Sequence, residues 1–418
     1  MKKFLIIIGC LLLVFCGVVV YDMYFTVKIP TLSIEEEKIN INKLYIYGTH
    51  LNMEGSYSFS DKAELVLYNG EFIAYSLNYL DNSSNSFNFS NYINDGIYLD
   101  NIKNGDYYLF LRVKYLEEDV EKYKYYALNN VTEYEDTTYY SMSNYNKKIV
   151  INSEDSYPTM MMHVSENNDD NIYDIVIDPG HGGIDGGASY NGYKETDFTM
   201  NIANKLKSIL ENYGFKVKLT HEEGQLSEDE KLGEYGIHGR AVIPSEVKAK
   251  YLFSIHLNSS NSHSVNGLEV YTAKNINYDF AKLLVNNVTS LSGVGYSNNK
   301  INKLYDSIYS RNFTQEEINS SIDDYIQKGQ NPYDITTNST YYYIIRETGG
   351  IVTGAYVDDR NNEIMGNPYV KNNVGTETYL LELGYISNKD NLNNLINNID
   401  KYVEGIAISI KSLYDEIK

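Results

Sequence analysis

The first half of the chain alternates short apolar runs with clusters of turn-forming residues. From residue 38 to 164 the runs are rich in Tyr, Val, Ile and Phe, which favour β-strands. Asn-Gly at 69–70 is a strong hairpin signal, and turn-forming residues also occur at 94–96 and 104–106. The pattern predicts an all-β, sandwich-like domain at 38–164. Its expected strands include residues 43–47, 63–68, 107–114 and 147–151.

At residue 172 the pattern changes, and apolar strands begin to alternate with amphipathic helices. The first strand ends in a Pro-Gly loop, as is typical of a buried parallel strand. The first helix shows one apolar face with helical spacing and is followed by Gly214. This alternation predicts an α/β domain at 172–418, with a mostly parallel sheet flanked by helices. Strands are expected at 175–177, 216–219, 251–255, 267–272 and 376–383, with helices at 197–213, 278–292 and 392–417. The polar residues 165–171 predict a linker between the two domains.

The N-terminus combines a basic start with a long apolar stretch. Lys2 and Lys3 precede an uninterrupted apolar run over residues 4–20. A membrane-spanning helix takes ~17–25 residues, and a basic flank keeps the N-terminus in the cytoplasm. We therefore expect residues 1–27 to be an uncleaved, single-pass transmembrane anchor in the cell membrane, with both domains on the outer, cell-wall side. A cleaved export signal or a lipoprotein cleavage site at Cys10 are the alternatives, and both also export the chain.

Charge and cysteine content exclude several classes of partner and site. The 418-residue chain carries a formal net charge of −21. This charge disfavours nucleic acid and anionic lipid as partners, because both require basic surfaces. The two cysteines, Cys10 and Cys16, lie in the predicted anchor, so the exported part has neither a disulfide framework nor thiolate ligands. A metal site in this chain must therefore use histidines and carboxylates.

Candidate chemistry lies at or near the predicted carboxyl ends of the strands, where functional residues gather in open α/β sheets. His181 follows the first strand in a glycine-rich loop, Glu195 precedes the first helix, and His256 ends a buried strand. Two histidines and one glutamate form a common catalytic zinc set that leaves a position for water. Glu382 lies within an apolar strand, so we expect a raised pKa, which suits a carboxylate that transfers protons.

Six short motifs in the second domain carry a resemblance to a known family. They are Ile-Val-Ile-Asp-Pro-Gly-His-Gly-Gly at 175–183, Lys-Glu at 194–195, Arg-Ala at 240–241, Leu-Phe-Ser-Ile-His-Leu-Asn at 252–258, Gly-Leu-Glu-Val-Tyr at 267–271 and Leu-Glu-Leu-Gly-Tyr-Ile-Ser-Asn at 381–388. In this order they resemble the zinc-dependent N-acetylmuramoyl-L-alanine amidases of the Amidase_3 family. The resemblance implies that His181, Glu195 and His256 bind one Zn²⁺ and that Glu382 is the catalytic carboxylate. The implied reaction is hydrolysis of the amide bond between N-acetylmuramic acid and L-alanine in peptidoglycan.

Three further polar residues are expected to support this site. Asp178 and Asn258 either orient the ligands by hydrogen bonds or serve only turn and strand-end hydrogen bonding. Arg240 stands where the family has an arginine before the Ser-Ile-His strand, and its role is either structural or to support the ligands. The remaining histidines are expected to be structural or at the surface: His50, His163, His221, His238 and His263.

One segment departs from the family pattern. The family passes quickly from its helices to the strand with the catalytic glutamate, whereas here residues from about 295 to 375 intervene. A helix is expected at 314–328, beginning with the Thr-x-x-Glu capping box of Thr314 and Glu317. Three roles are open for this insertion: it shapes the substrate groove, it covers the metal as an autoinhibitory element, or it is peripheral.

Two other functions stay open beside the amidase. One is a catalytically silent wall-binding or regulatory protein that keeps the fold, which the presence of all four site residues disfavours. The other is a zinc carboxypeptidase acting on wall peptides, and the motifs at 178–181 and 381–385 favour the amidase over it. The β-rich domain is either a spacer or stabilising module, or a contact with the cell wall.

Overall fold

The chain forms a β region, residues 39–166, followed by an α/β region, residues 172–415. The computed structural model describes residues 29–32, 39–58, 62–79, 86–88, 92–129, 131–134, 138–153, 157–183, 185–223, 239–329, 332, 335–355 and 375–415. Within these ranges, no helix is both long and apolar enough to cross a membrane. The predicted anchor at 1–27 and His238 lie outside the described residues.

Two sheets make up the β region. Its strands are β1 Ile39–Tyr47, β2 His50–Tyr57, β3 Ala63–Tyr68, β4 Phe72–Ser76, β5 Asn78–Tyr79, β6 Ser86–Asn88, β7 Ile97–Tyr98, β8 Gly105–Glu117, β9 Val120–Ala127, β10 Val131–Tyr134, β11 Thr138–Tyr140, β12 Lys147–Asn152 and β13 Met161–Glu166. One sheet has the order β10-β1-β2-β6-β5, with β7 also paired to β2. The other has the order β11-β12-β13-β8-β3-β4, with β9 also paired to β8. Apolar side chains of both sheets form one buried cluster, as in a sandwich.

The expected strands at 43–47, 63–68, 107–114 and 147–151 all lie within observed strands. The turn expected at 104–106 ends earlier, at Asn104, because Gly105 and Asp106 begin β8 and pair with Val164 and His163 of β13. The Nδ1 atom of His163 lies 2.8 Å from the carboxylate of Asp106, which adds a side-chain contact to this pairing. Strand β13 continues to Glu166, so the chain does not enter the predicted linker at residue 165.

In the α/β region, one mixed sheet is flanked by helices. The elements are β14 Ile175–Pro179, β15 Ser189–Tyr190, β16 Tyr193–Lys194, α1 Glu195–Asn212, β17 Val217–Leu219, α2 Ile243–Glu246, β18 Tyr251–Asn258, β19 Glu269–Tyr271, α3 Asp279–Ser292, β20 Lys303–Tyr305, β21 Ile308–Tyr309, α4 Gln315–Gln327, α5 Tyr343–Thr348, β22 Glu377–Tyr385 and α6 Lys389–Asp415. The sheet order is β17-β14-β18-β22-β19-β21-β20. Strands β17, β14, β18 and β22 are parallel, whereas β19 runs antiparallel to β22. The predicted α/β class is confirmed.

The first helix begins two positions earlier than expected, at Glu195. The backbone N–H of Lys194 donates to the Asp197 carboxylate over 3.3 Å, which caps the new first turn. Phe198, Ile202 and other apolar side chains of α1 are buried in the main cluster with β14 and β18. This packing places Glu195 at the first helical position, beside the carboxyl ends of those strands.

The described residues of the 295–375 insertion form both strands of the sheet and helices. Strands β20 and β21 extend the sheet beyond β19, which the sequence pattern did not predict. Helix α4 has the expected capping box, since the Glu317 N–H donates to the Thr314 hydroxyl over 3.2 Å. Helix α5 packs on the amino-terminal half of β22, where the hydroxyls of Thr348 and Thr378 lie 2.6 Å apart. Helix α5 therefore lies toward the strand ends opposite those that carry the candidate site. Residues 356–374 are outside the described ranges.

The β region packs directly against the amino ends of the central strands of the α/β sheet. The Gly48 N–H donates to the Gly375 carbonyl over 2.7 Å, just before β22. The Asn94 amide donates to Glu377 Oε1 over 2.9 Å, and Glu377 is only 3% exposed. Tyr47 and Met142 of the β region belong to the buried cluster of the α/β region. The two regions thus share a continuous buried interface.

Asp174, which precedes β14, is the most connected carboxylate of this interface. It is fully buried and accepts hydrogen bonds from the backbone and hydroxyl of Ser143, at 2.7 and 2.6 Å. It also accepts from the Tyr414 hydroxyl at 2.8 Å and from the Lys216 N–H at 2.7 Å. One side chain therefore joins the β region, helix α6 and the start of β17.

We expect Asp174→Ala to destabilise the folded chain by about 2–4 kcal/mol, because it leaves several buried donors without an acceptor. Urea unfolding followed by circular dichroism measures this difference. Asp400→Asn is the control, since Asp400 is 78% exposed and pairs with Lys205 at the surface; we expect a change below about 0.5 kcal/mol there. Equal stability of the two variants would contradict the role given to Asp174.

Candidate metal centre

Three predicted residues come together at the carboxyl ends of β14 and β18. The Nε2 atom of His181 lies 3.2 Å from Glu195 Oε2, and the Nδ1 atom of His256 lies 3.1 Å from Glu195 Oε1. One donor atom from each side chain lies within 4.8 Å of the other two. The rings of His181 and His256 meet edge to face, with centroids 5.0 Å apart. A pair of imidazoles and a carboxylate in this arrangement is a donor set that suits Zn²⁺.

Glycine residues make room for this arrangement. A Cβ atom on Gly187 would lie 2.6 Å from His181 Cδ2 and 2.7 Å from Glu195 Oε2. A Cβ atom on Gly180 would lie 2.5 Å from His256 Cε1. His181 itself has a φ of +61°, which side chains other than glycine adopt rarely. The loop therefore holds its histidine in a strained backbone conformation, with no space for larger neighbours.

Hydrogen bonds hold Glu195 and His181 in place. Glu195 accepts from the backbone N–H groups of Ala188 and Leu257, at 2.9 and 2.8 Å. Asp185 Oδ2 lies 2.8 Å from His181 Nδ1, on the ring nitrogen that faces away from Glu195. A carboxylate on the outer nitrogen of a ligand histidine fixes its tautomer and orientation.

The three side chains perturb one another's protonation. Burial opposes ionisation of Glu195, but the hydrogen bonds to both histidines outweigh it and hold the pKa of Glu195 well below its usual range. The hydrogen bond to Glu195 raises the pKa of His181 to about 9, against the effect of burial and with help from Asp185. Without a metal, the centre therefore keeps a proton at neutral pH, and a bound cation would replace it.

Glu382 lies on β22, which is the strand next to the His256 strand, β18. It is the partner of His256 in the register of β18 and β22, and of Glu269 in the register of β19 and β22. Its Oε2 atom is buried and has no hydrogen-bond partner among the described residues. Burial raises the pKa of Glu382 well above its usual value, and the carboxylates of Glu195 and Glu269 add to this effect. The raised pKa expected from its apolar strand is confirmed.

Behind Glu382 lies a second, fully satisfied carboxylate. Glu269 is completely buried, and it accepts from the hydroxyls of Tyr271, Ser297 and Tyr385 at 2.5, 2.6 and 2.7 Å. Asn258 donates its amide to the same carboxylate over 2.9 Å. Asn258, which was a candidate for orienting the ligands, therefore holds Glu269, while Ser297 ties the start of the insertion to this layer.

Asp178 and Arg240 form an ion pair below the ligands. Arg240 donates from Nε and Nη2 to the two oxygens of Asp178, at 2.7 and 2.5 Å. The hydroxyls of Thr220 and Ser254 donate to the same carboxylate over 2.8 and 2.6 Å. Burial alone would raise the pKa of Asp178, but the guanidinium of Arg240 holds it well below its usual range. These two predicted residues lock the ends of β14, β17 and β18 together.

The sequence reasoning missed Asp185, Gly187 and Glu269. Asp185 and Gly187 lie in the same glycine-rich loop as His181, so a carboxylate and a glycine next to a candidate ligand were available signals. Glu269 was noted only as part of a motif, although an acidic residue inside a short apolar strand is costly to bury and signals a partner. His50 is partly buried and its ring meets Tyr98 edge to face, in line with a structural role, whereas His221 is 4% exposed and lies beside His181.

The sequence of the α/β region matches a known protein family. The sequence model of the Amidase_3 family, described as N-acetylmuramoyl-L-alanine amidase, matches residues 175–412. The probable cell wall amidase LytH of Staphylococcus saprophyticus is 38% identical over 103 residues, covering 24% of this chain and 31% of that protein. The amidase AmiA of Escherichia coli is 35% identical over 102 residues, covering 24% of this chain and 32% of that protein. The matches thus span about a third of the length of these curated relatives.

Solved structures are also similar to this chain. The N-acetylmuramoyl-L-alanine amidase AmiC2 of Nostoc punctiforme aligns with a TM-score of 0.37 and 22% identity, covering 59% of this chain and 98% of that one. The catalytic domain of the amidase CwlV of Bacillus (Paenibacillus) polymyxa aligns with the same score and identity, covering 59% of this chain and 100% of that domain.

We expect Gly187→Ala to weaken Zn²⁺ binding by about tenfold or more, because the added methyl group displaces His181 and Glu195. Competition with a chromogenic chelator measures the affinity. Gly192→Ala is the matched control, because Gly192 also has a positive φ (+84°) but its Cβ atom would meet no atom within 4 Å. If both variants lose affinity for Zn²⁺ equally, backbone strain and not the crowding of the ligands explains the loss. If neither variant loses affinity, the crowding argument is wrong.

We expect Arg240→Met to destabilise the chain by about 3–5 kcal/mol at pH 7, because Asp178 would remain buried and charged without its partner. In the wild type, the pKa of Asp178 lies below that of unfolded Asp (~3.9), so the ion pair contributes stability above about pH 4 and loses it as the pH falls further. In the variant Asp178 is protonated more easily, so the difference from wild type is largest near pH 7 and decreases toward acid pH.

Urea unfolding at several pH values measures that dependence. Lys205→Met is the control, since its ion pair with Asp400 is exposed and worth less than about 1 kcal/mol. A difference for Arg240→Met that grows as the pH falls would contradict the assignment.

Proposed function

We propose that this chain, which belongs to the N-acetylmuramoyl-L-alanine amidase family, hydrolyses the amide bond between N-acetylmuramic acid and L-alanine in peptidoglycan. Family membership supports the identity of the bond. The observation that carries the proposal is the convergence of His181, Glu195 and His256 at one sheet edge, next to Glu382 on the neighbouring strand, whose Oε2 atom has no hydrogen-bond partner among the described residues. The presence of all four groups supports an active enzyme rather than a silent member of the family.

One Zn²⁺ is the proposed cofactor. His181 Nε2, His256 Nδ1 and the carboxylate of Glu195 would hold it, and the glycine cradle around them fits a compact set of donors. When bound, zinc would polarise the scissile carbonyl, lower the pKa of a bound water to about 7, and draw the pKa of Glu382 down so that this carboxylate can accept a proton. Asp185 would keep His181 in the tautomer whose Nε2 lone pair faces the metal.

Glu382 is the proposed proton carrier. Its carboxylate would take a proton from the attacking water and return it to the nitrogen of the leaving L-alanine. Among the described residues, none donates a hydrogen bond to its Oε2 atom, so no neighbouring donor holds the carboxylate in its charged form. Glu269 keeps the strand pairing beside Glu382 rigid, because four hydrogen bonds fix its carboxylate.

Outside the catalytic region, the placement of the protein follows from its N-terminus. We propose that residues 1–27 anchor the chain in the cell membrane by one helix and hold the β region and the α/β region on the cell-wall side. The acidic charge of −21 disfavours nucleic acid, and family membership supports peptidoglycan as the partner. Contact of the β region with the wall is part of the same proposal.

We expect Glu382→Gln to retain zinc while kcat falls about 10²–10⁴-fold, because only the proton transfer is removed. His256→Ala removes a donor, so we expect it to lose both the metal and the activity. Elemental analysis of the purified full chain measures the zinc, and chromatography of muropeptides measures the stem peptides released. Zinc loss in both variants would mean that Glu382 is a ligand, and release of a different fragment by the wild type would exclude the proposed bond.

A further inference from the structure

A cavity of about 460 Å³ lies beside His181, toward strand β17 and away from β22, the strand that carries Glu382. Its walls come from the loop after β14, from the first turns of α1 and from the segment after β17. The volume is within the range of small-molecule sites. Because the sheet order is β17-β14-β18-β22, His181 and His256 stand between this cavity and Glu382.

Neutral polar groups and carboxylates line the cavity. Asp197, Asn201 and Asn204 lie on one face of α1, since they are three and four residues apart. Glu223 contributes a second carboxylate on the opposite wall. None of the described lining residues is a lysine or an arginine. This lining suits hydroxyl and acetamido groups and disfavours an anionic peptide.

His221 supplies an independent indication of a ligand. It lines the cavity and is 4% exposed, and its Nε2 atom is buried without a hydrogen-bond partner among the described residues. Its Nδ1 atom lies 3.0 Å from the Thr220 hydroxyl, so the ring orientation is fixed. A buried polar atom without a partner is costly unless a ligand or water satisfies it.

The chemistry of the proposed reaction assigns a side to each half of the substrate. The nitrogen that leaves must face Glu382, because that carboxylate returns the proton to it. The peptide half therefore extends over β22, and the acyl half, which carries the sugar, extends the opposite way over β14 and β17. The cavity lies on that second side.

We propose that this cavity binds the N-acetylmuramoyl half of the substrate, with Asn201, Asn204 and His221 as hydrogen-bonding groups toward the sugar and its acetamido group. The assignment rests on the function proposed above for Glu382. It goes beyond that function in naming the half of the substrate that occupies this side of the metal centre.

The test uses the zinc-loaded full chain in detergent, in a Glu382→Gln background that prevents turnover. Two probes are titrated separately by saturation-transfer NMR: the methyl amide of N-acetylmuramic acid, and the free peptide L-alanyl-γ-D-glutamyl-L-lysine. We expect Asn204→Ala to weaken binding of the sugar probe by roughly three- to tenfold, as for one lost hydrogen bond, and to leave the peptide unchanged. Asn201→Ala is a second variant with the same expectation.

Asn212→Ala is the matched control, because Asn212 is exposed at the last position of the same helix, far from the cavity. We expect it to change neither affinity. No binding of the sugar probe, equal effects of Asn204→Ala and Asn212→Ala, or a selective loss of the peptide would overturn the proposal. If sugar binding depends on Asn204 but the wild type releases no stem peptide, the cavity assignment stands and the amidase function fails.

Discussion

The architecture depends on several carboxylates that are buried at the carboxyl ends of the sheet strands, where a carboxylate without a partner is costly. Asp178 is paired with a guanidinium, Glu195 lies against two imidazoles, and Glu269 accepts hydrogen bonds from three hydroxyls and an amide. Glu382 alone among these four keeps a buried oxygen without a partner in the described residues. Since an unsatisfied buried carboxylate is costly, this contrast separates the groups that build the site from the group that is available to react.

Charged side chains are also buried at the amino ends of the strands, where the β region covers them. Asp174, Lys250 and Glu377 stand at the amino ends of β14, β18 and β22, and each is nearly or fully buried. Burial lowers the pKa of Lys250 to about 8, although the carboxylates of Asp174 and Asp100 counteract this. Because Asp100, Ser143 and Asn94 belong to the β region, that region completes the shielding of these charges. It is therefore more than a spacer in structural terms.

The two edges of the sheet differ: the carboxyl edge carries the candidate metal centre, and the amino edge is packed against other elements. The carboxyl edge leaves space around the candidate metal centre, with a polar cavity on one side and Glu382 on the other. The amino edge is closed by the β region and by helix α5 of the insertion. A closed amino edge supports the strands whose opposite ends hold the candidate ligands in position.

Much of the site could be read from the chain before its structure, because local patterns report local burial. The four principal residues stand at strand ends or in an apolar strand, and the elements that carry them follow the predicted periodicities. Roles that depend on a partner far along the chain could not be read in this way. Of the two roles left open for Asn258, the structure shows a hydrogen bond at the strand end, to Glu269, and not to a ligand. Asp185 is close to His181 in sequence, but periodicity carries no information about a loop carboxylate.

The sequence by itself predicted the main strands and helices, the α/β class of the second region, and a candidate metal centre built from histidine and carboxylate. These follow from spacing and residue type, which act over a few residues. Only the tertiary structure decided that Asn94 meets Glu377 across 283 positions, that the β region closes the amino edge, and that the cavity lies on the side away from Glu382. The reason is physical: which buried charges share a space depends on packing between distant segments, and periodicity carries no information about that.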